Sequence, residues 1–463
     1  RYFRPRVVTI QGYSAESTLT ATKIMIPYFE AQHVHPSQEM TIPNQHLSGL
    51  AVAVLLSLTL FSPTITRPAL AQLQSPTEFL GYELGDRFTA HHRVVDYVSH
   101  VAESSANVSM ESYGHTYEHR PLTLLFVSTP GNLSRLDDIR DGNVELTTGG
   151  RAPEGNPTAI VWLSYNVHGN ESVSTEASLQ TLFELADPSN ARTQEWLENT
   201  VVVIDPCINP DGRERYVQWY NRTAGAFVNP NGDDWTHDEP WPGGRTNHYF
   251  FDLNRDWAWA SQQETRARLK MYQAWMPHVH VDFHEQGVNS PYYFAPAAEP
   301  YHASVTEWQR DFQTQIGRNH ARYFDENGWL YFTKQSFDLL YPGYGDTWPT
   351  FNGAIGMTYE QAGSGRAGLA IKTAENDTLT LADRIAHHRT TGLSTIEVTS
   401  QNAGRVVAEF AAYFERSSDP RTFIIKQDPR GERASAVMRL LDVQGIEYQT
   451  CLLYTSPSPR DED

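Results

Sequence analysis

Residues 159–176, AIVWLSYNVHGNESVSTE, set the strongest constraint on how this chain can fold. The apolar run Ile160-Val161-Trp162-Leu163 reads as a buried strand. It breaks at His168-Gly169-Asn170-Glu171, and Glu171 opens a helical pattern over 171–187 with apolar Ala177, Leu179, Leu182 and Phe183. The alternation recurs. Further strands are expected over 122–127, 200–204, 278–284 and 354–360, and further helices over 264–275, 308–324 and 403–415. A helical lead-in is expected between 75 and 107. Apolar strands alternating with helices imply an α/β domain whose sheet is covered on both faces. In such sheets the chemistry collects at strand ends, where His168, Asn209, His284 and Glu360 all fall. After 417 the pattern restarts as strand, helix and strand, so 419–450 is expected to begin a second, small α/β unit, with the main domain over 72–418.

The two ends are read separately. Residues 50–61, LAVAVLLSLTLF, are apolar but too short for a comfortable membrane span. Ala69-Leu70-Ala71 follows as a small-x-small cleavage pattern. Residues 40–71 are therefore expected to be a signal peptide, with a mature chain from Gln72 that is secreted or periplasmic and has no membrane span. The fit is imperfect, since neither Met40 nor Met25 as a start places a Lys or Arg ahead of the apolar run. Residues 1–39 show no periodicity and are expected to be non-native upstream translation, and 451–463 a non-native tail. Cys207 is then the single credible thiol, so no internal disulfide is expected. A net charge of −19 argues against a nucleic-acid partner.

Five short motifs carry the chemistry. His168 and Glu171, three apart at a strand-to-helix turn, can supply two of the three ligands of a His₂Glu catalytic zinc site. The third must come from far along the chain, and His284 stands at a strand end. His278, His280, Asp282 and His284 share one face of that strand, so Glu285 should face the other way. Asn209-Pro210-Asp211-Gly212 reads as a turn. In Asp252-Leu253-Asn254-Arg255, the guanidinium of Arg255 can bind a carboxylate through paired donors, with the Asn254 amide beside it. Arg245 offers a second cation, and Glu360 is a carboxylate at the end of an apolar strand.

In this order the motifs resemble the carboxypeptidase A family, and the chain looks like a secreted bacterial zinc carboxypeptidase over roughly 80–415. The resemblance implies a single mixed, mostly parallel sheet with helices on both faces. It implies one zinc ion held by His168, Glu171 and His284, with Glu360 as general base. Asn254 and Arg255 would hold the free C-terminal carboxylate of a peptide substrate. Two positions stay open. Arg213, Arg215, Arg222 and Arg245 compete for the oxyanion role, with Arg245 favoured by its ten-residue spacing from Arg255; Tyr341 and Tyr344 compete for the substrate-capping tyrosine. The rivals are a zinc amidohydrolase or deacylase acting on acylated amino acids or peptidoglycan stem peptides, and an inactive zinc-binding module. The presence of Glu360 counts against the inactive module.

Overall fold

Ala159–Tyr165 is buried along its whole length, as a strand must be when helices cover both faces of its sheet. The computed structural model describes residues 8–11, 72–151, 157–416, 423–426 and 430–451. In chain order its strands are β1 (Val8–Gln11), β2 (Val108–His115), β3 (Pro121–Val127), β4 (Ala159–Tyr165), β5 (Thr200–Asp205), β6 (Val279–Gln286) and β7 (Tyr292–Tyr293). They continue with β8 (Tyr331–Phe332), β9 (Ile355–Ala362), β10 (Ala370–Lys372), β11 (Thr378–Thr380), β12 (Phe423–Lys426) and β13 (Tyr448–Cys451). Eight form one sheet in the order β2-β3-β5-β4-β6-β9-β7-β8. Its inner strands β5, β4, β6 and β9 run parallel. The joins β2–β3, β3–β5 and β9–β7 are antiparallel. This is the expected mixed, mostly parallel sheet.

Alternation along the strands builds two cores. Val161, Leu163 and Tyr165 join Val202 and Ile204 on one face, while Ile160 and Trp162 join Val201 and Val203 on the other. Register then positions chemistry: His284 lies opposite Glu360, and Asp282 lies between Ser164 and Thr358.

Several expectations need correction. The strand expected to end at His284 runs on to Gln286, because Glu285 and Gln286 keep pairing with Gln361 and Ala362. The turn expected at 209–212 is the start of a helix, Pro210–Thr223. Asn209 caps it by accepting from the Gly212 amide, and Pro210 occupies the first helical turn, where a missing N–H is harmless. A Cβ at Gly212 would come 2.3 Å from the Gly244 carbonyl oxygen, so this close approach requires glycine. The sequence pattern missed Leu381–Gln401, a 21-residue helix rich in Thr and containing Gly392. Its burial against the sheet outweighs weak intrinsic propensity.

At the ends, β12, β1 and β13 form a three-stranded parallel sheet with β1 in the middle, and the helix Glu432–Val443 accompanies it. No element is expected from sequence at Val8–Gln11. The apolar run at 50–61 and the cleavage pattern at 69–71 lie outside the described residues. Among the described residues no helix is long and apolar enough to cross a membrane. Cys207 is buried with its thiol free.

Candidate active site

The chain leaves β4 through Asn166, whose backbone takes φ +63°, a region Asn tolerates better than most residues. Its side-chain amide donates to the carbonyls of His168 (2.6 Å) and Glu171 (3.0 Å), folding the turn so that both side chains face inward. His284 arrives from the neighbouring strand β6. The ligating atoms of His168, Glu171 and His284 then lie within 4.8 Å of one another. His168 Nδ1 stands 2.9 Å from Glu171 Oε1, and His284 Nδ1 stands 3.0 Å from Oε2 and 3.2 Å from His168 Nδ1. Both imidazoles therefore present Nδ1 to one point.

Their far sides explain why. His168 Nε2 lies 3.0 Å from Asp252 Oδ1 and His284 Nε2 lies 2.9 Å from Asp282 Oδ2. A carboxylate accepting the Nε2 proton leaves Nδ1 with a free lone pair, as a metal ligand requires. This donor set fits a zinc ion: two imidazole nitrogens and one carboxylate, with room for a fourth ligand. Burial alone would raise the Glu171 carboxyl, but the two imidazoles hold it well below the usual carboxylate range.

Asp282 is a residue whose role the sequence left unassigned, though its even spacing from His284 was visible. Asp282→Asn keeps the shape but removes the charge behind His284. Zinc affinity, measured by chelator competition, is expected to fall about 10- to 100-fold. Unchanged affinity would reduce the contact to packing.

Glu360 lies beside this centre, and burial pushes its carboxyl up. Glu285 does face away as expected. Its Oε1 accepts from the Val173 amide at 3.0 Å, and Oε2 pairs with Arg384 at 3.1 Å. A cleft of about 360 Å³ opens over the centre, lined among others by Arg245, Asn254, Arg255, Tyr344 and Glu360.

The competing residues separate by place. Arg245 reaches Glu171 Oε1 (3.2 Å) and Asp252 Oδ2 (3.1 Å) while its side chain stays 42% exposed. Arg213 is buried and paired with Glu176 at 2.6 Å, and Arg215 donates to the carbonyls of Thr246 and Asn247. Arg222 lies exposed on the helix Pro210–Thr223. Tyr344 lines the cleft, with Arg255 stacked over its ring at 4.6 Å. The Tyr341 hydroxyl instead accepts from the Trp259 indole at 2.8 Å. Asn254 lines the cleft with Oδ1 accepting from the Gly345 amide, while its Nδ2, 3.2 Å from His284 Nε2, keeps its N–H groups for other acceptors. Sequence reasoning did not find Ser336, Phe337, Asp338 and Asp346, which also line the cleft, because no local motif marks loops that approach only in space.

Fold and donor set together describe an α/β protein with three residues that could hold a metal ion, open to a cleft at the ends of its parallel strands. Residues 94–374 match the family model described as zinc carboxypeptidase, and the chain belongs to that family. A probable carboxypeptidase 2 of Arthroderma benhamiae is 30% identical over 129 residues, covering 27% of this chain and 18% of that protein. A carboxypeptidase 2 of Trichophyton tonsurans matches likewise, at 30% over the same length and 18% of its chain. The match thus spans under a fifth of these curated relatives. Among solved structures, a metallo-carboxypeptidase from Burkholderia cenocepacia is similar at 16% identity with a TM-score of 0.46, covering 67% of this chain and 69% of that one.

Proposed function

We propose that this chain is a zinc-dependent carboxypeptidase that hydrolyses the C-terminal peptide bond of peptides with a free terminal carboxylate. One observation carries the reading. The His168–Glu171–His284 donors share a single cleft with Glu360 and with Arg255, a cation suited to a carboxylate. When bound, a zinc ion supplies Lewis acidity, acidifying water and polarising a carbonyl.

The chain's own residues supply the rest. Asp252 accepts from His168 Nε2, and Asp282 sets a carboxylate 2.9 Å from His284 Nε2, which favours the tautomer that leaves Nδ1 to ligate. Arg255 and Asn254 anchor the substrate's terminal carboxylate, and Tyr344 flanks it. Glu360 takes a proton from the attacking water, and its burial suits a group that must accept and return a proton near neutral pH. As the carbon–nitrogen bond breaks, Glu360 gives that proton to the leaving amine. Arg245, half-exposed at the cleft and held there by Glu171 and Asp252, meets the negative charge that develops on the carbonyl oxygen. The apolar run at 50–61 and the cleavage pattern after it support a site of action outside the cytoplasm.

The test is release of the C-terminal residue from blocked dipeptides, lost on chelation and restored by zinc. Glu360→Gln should retain zinc yet lose on the order of 10²-fold or more in turnover, whereas Glu285→Gln falls well short of that. The reverse ranking would overturn the assignment of the base. No hydrolysis of any blocked dipeptide by the zinc-loaded protein would remove the peptidase reading.

A further inference from the structure

Two loops line one side of the cleft. One runs through Asp252, Asn254 and Arg255 to Ser261, and the other from Tyr341 through Tyr344 to Phe351. Each is tied to the other by hydrogen bonds: the Trp257 amide donates to the Gly343 carbonyl at 3.3 Å, and the Gly345 amide donates to the side-chain Oδ1 of Asn254 at 2.7 Å. Connecting segments of this kind, here with a helical turn at Leu253–Arg255 and a short helix at Thr347–Phe351, are the mobile parts of an α/β enzyme unless something outside them fixes their spacing.

That something comes from far along the chain. Gln444, directly after the helix Glu432–Val443, is 9% exposed. Its Nε2 donates to the carbonyls of Trp257 and Ala258, each at 2.9 Å, which uses both of its N–H groups. Its Oε1 accepts from the Trp348 indole, also at 2.9 Å. One amide therefore grips the first loop by its backbone and the second by a side chain. The Trp257 and Trp348 rings lie 5.5 Å apart beneath it. Val443 packs against the cluster to which both rings belong, and its carbonyl accepts from Gln273 Nε2 at 2.9 Å. The Trp348 amide in turn donates to the Tyr344 carbonyl at 3.0 Å, so holding Trp348 also places Tyr344.

We propose that Gln444 is a positioning residue of the cleft, locking the loop that bears Arg255 against the loop that bears Tyr344. The C-terminal element is thereby part of the substrate-binding apparatus. The kinetic part rests on the reading that Arg255 and Tyr344 receive the substrate's terminal carboxylate. Gln444 holds the first loop at Trp257 and Ala258, beyond Asp252, and contacts neither the metal ligands nor Glu360, so its loss should weaken binding more than it slows the chemical step.

The experiment uses the full chain with Gln444→Ala and Gln444→Glu. For a blocked dipeptide, Gln444→Ala is expected to raise KM about 5- to 10-fold, with kcat held within about twofold, the signature of lost uniform binding. Gln444→Glu keeps the acceptor for Trp348 but sets a carboxylate oxygen against two carbonyls, so its KM should rise further. Amide hydrogen exchange read without substrate should quicken in 255–261 and 341–351, while β4 and β6 exchange as in the wild type and zinc content stays constant. Unchanged exchange in both loops overturns the brace, whatever the kinetics. Equal falls in kcat and zinc content with unchanged KM overturn the positioning role in favour of general destabilisation. Because exchange needs no substrate, a wild type that cleaves no dipeptide would refute the carboxypeptidase reading without touching this test.

Discussion

His284→Ala is expected to remove zinc and hydrolysis together. A catalytic zinc site uses three protein ligands, and His284 Nδ1 is one of three atoms that converge within 4.8 Å. Two ligands remain in the variant, and Glu171 loses the imidazole that stands 3.0 Å from its Oε2. A buried carboxylate stripped of a partner disfavours its own ionised form, so the remaining ligand pair weakens as well. Metal content after dialysis should fall to background, with turnover following it. Far-UV circular dichroism and a melting curve separate this from misfolding. The side chain is buried, so some loss of Tm is expected from the cavity alone. A folded variant that retains full zinc and activity would exclude His284 from the centre.

The second large effect separates a carboxypeptidase from a deacylase. A free C-terminal carboxylate carries a full negative charge and two in-plane acceptors, which a guanidinium matches with paired donors. Arg255 is available for this, with a side chain 46% exposed, 3.8 Å from Asp252 Oδ2 and backed by the Tyr344 ring. Once substrate shields the cleft, charge-assisted bonds are worth ~1.5–3 kcal/mol each. Amidating the substrate removes the charge and puts a donor where an acceptor belongs. The wild type should then lose on the order of 10³-fold or more in kcat/KM between a blocked dipeptide and its amide. Arg255→Ala should narrow that ratio by slowing the acid alone, and Arg255→Lys should also be impaired because it keeps charge but loses the fork. Equal cleavage of both substrates by the wild type gives the activity to the deacylase reading.

The branched course of the fold was legible where residues speak locally. The apolar strands β4 and β5 and the helix after His168-Gly169-Asn170-Glu171 follow from hydrophobic pattern, because a doubly covered strand must be apolar throughout. Pattern did not reveal β2, an edge strand exposed along most of its length, or the Thr-rich helix Leu381–Gln401, which tertiary burial stabilises. The turn at 209–212 carried a helix-start signature in Asn209 and Pro210 that outweighed its loop-like composition.

The sequence by itself determined the donor types and their order: His168 and Glu171 at one turn, then Arg255, His284 and Glu360. Ligand identity and short spacing are local properties, readable without coordinates. Only the tertiary structure decided which long-range partners those groups meet. It placed Asp252 and Asp282 behind the two imidazoles, left Arg245 in the cleft while burying Arg213 against Glu176, and turned Tyr344 inward while Tyr341 faces Trp259. It also carried Gln444 across 187 residues to Trp257. Such pairings depend on strand order, on the register that sets His284 beside Glu360, and on loop approach, none of which is encoded in neighbouring residues.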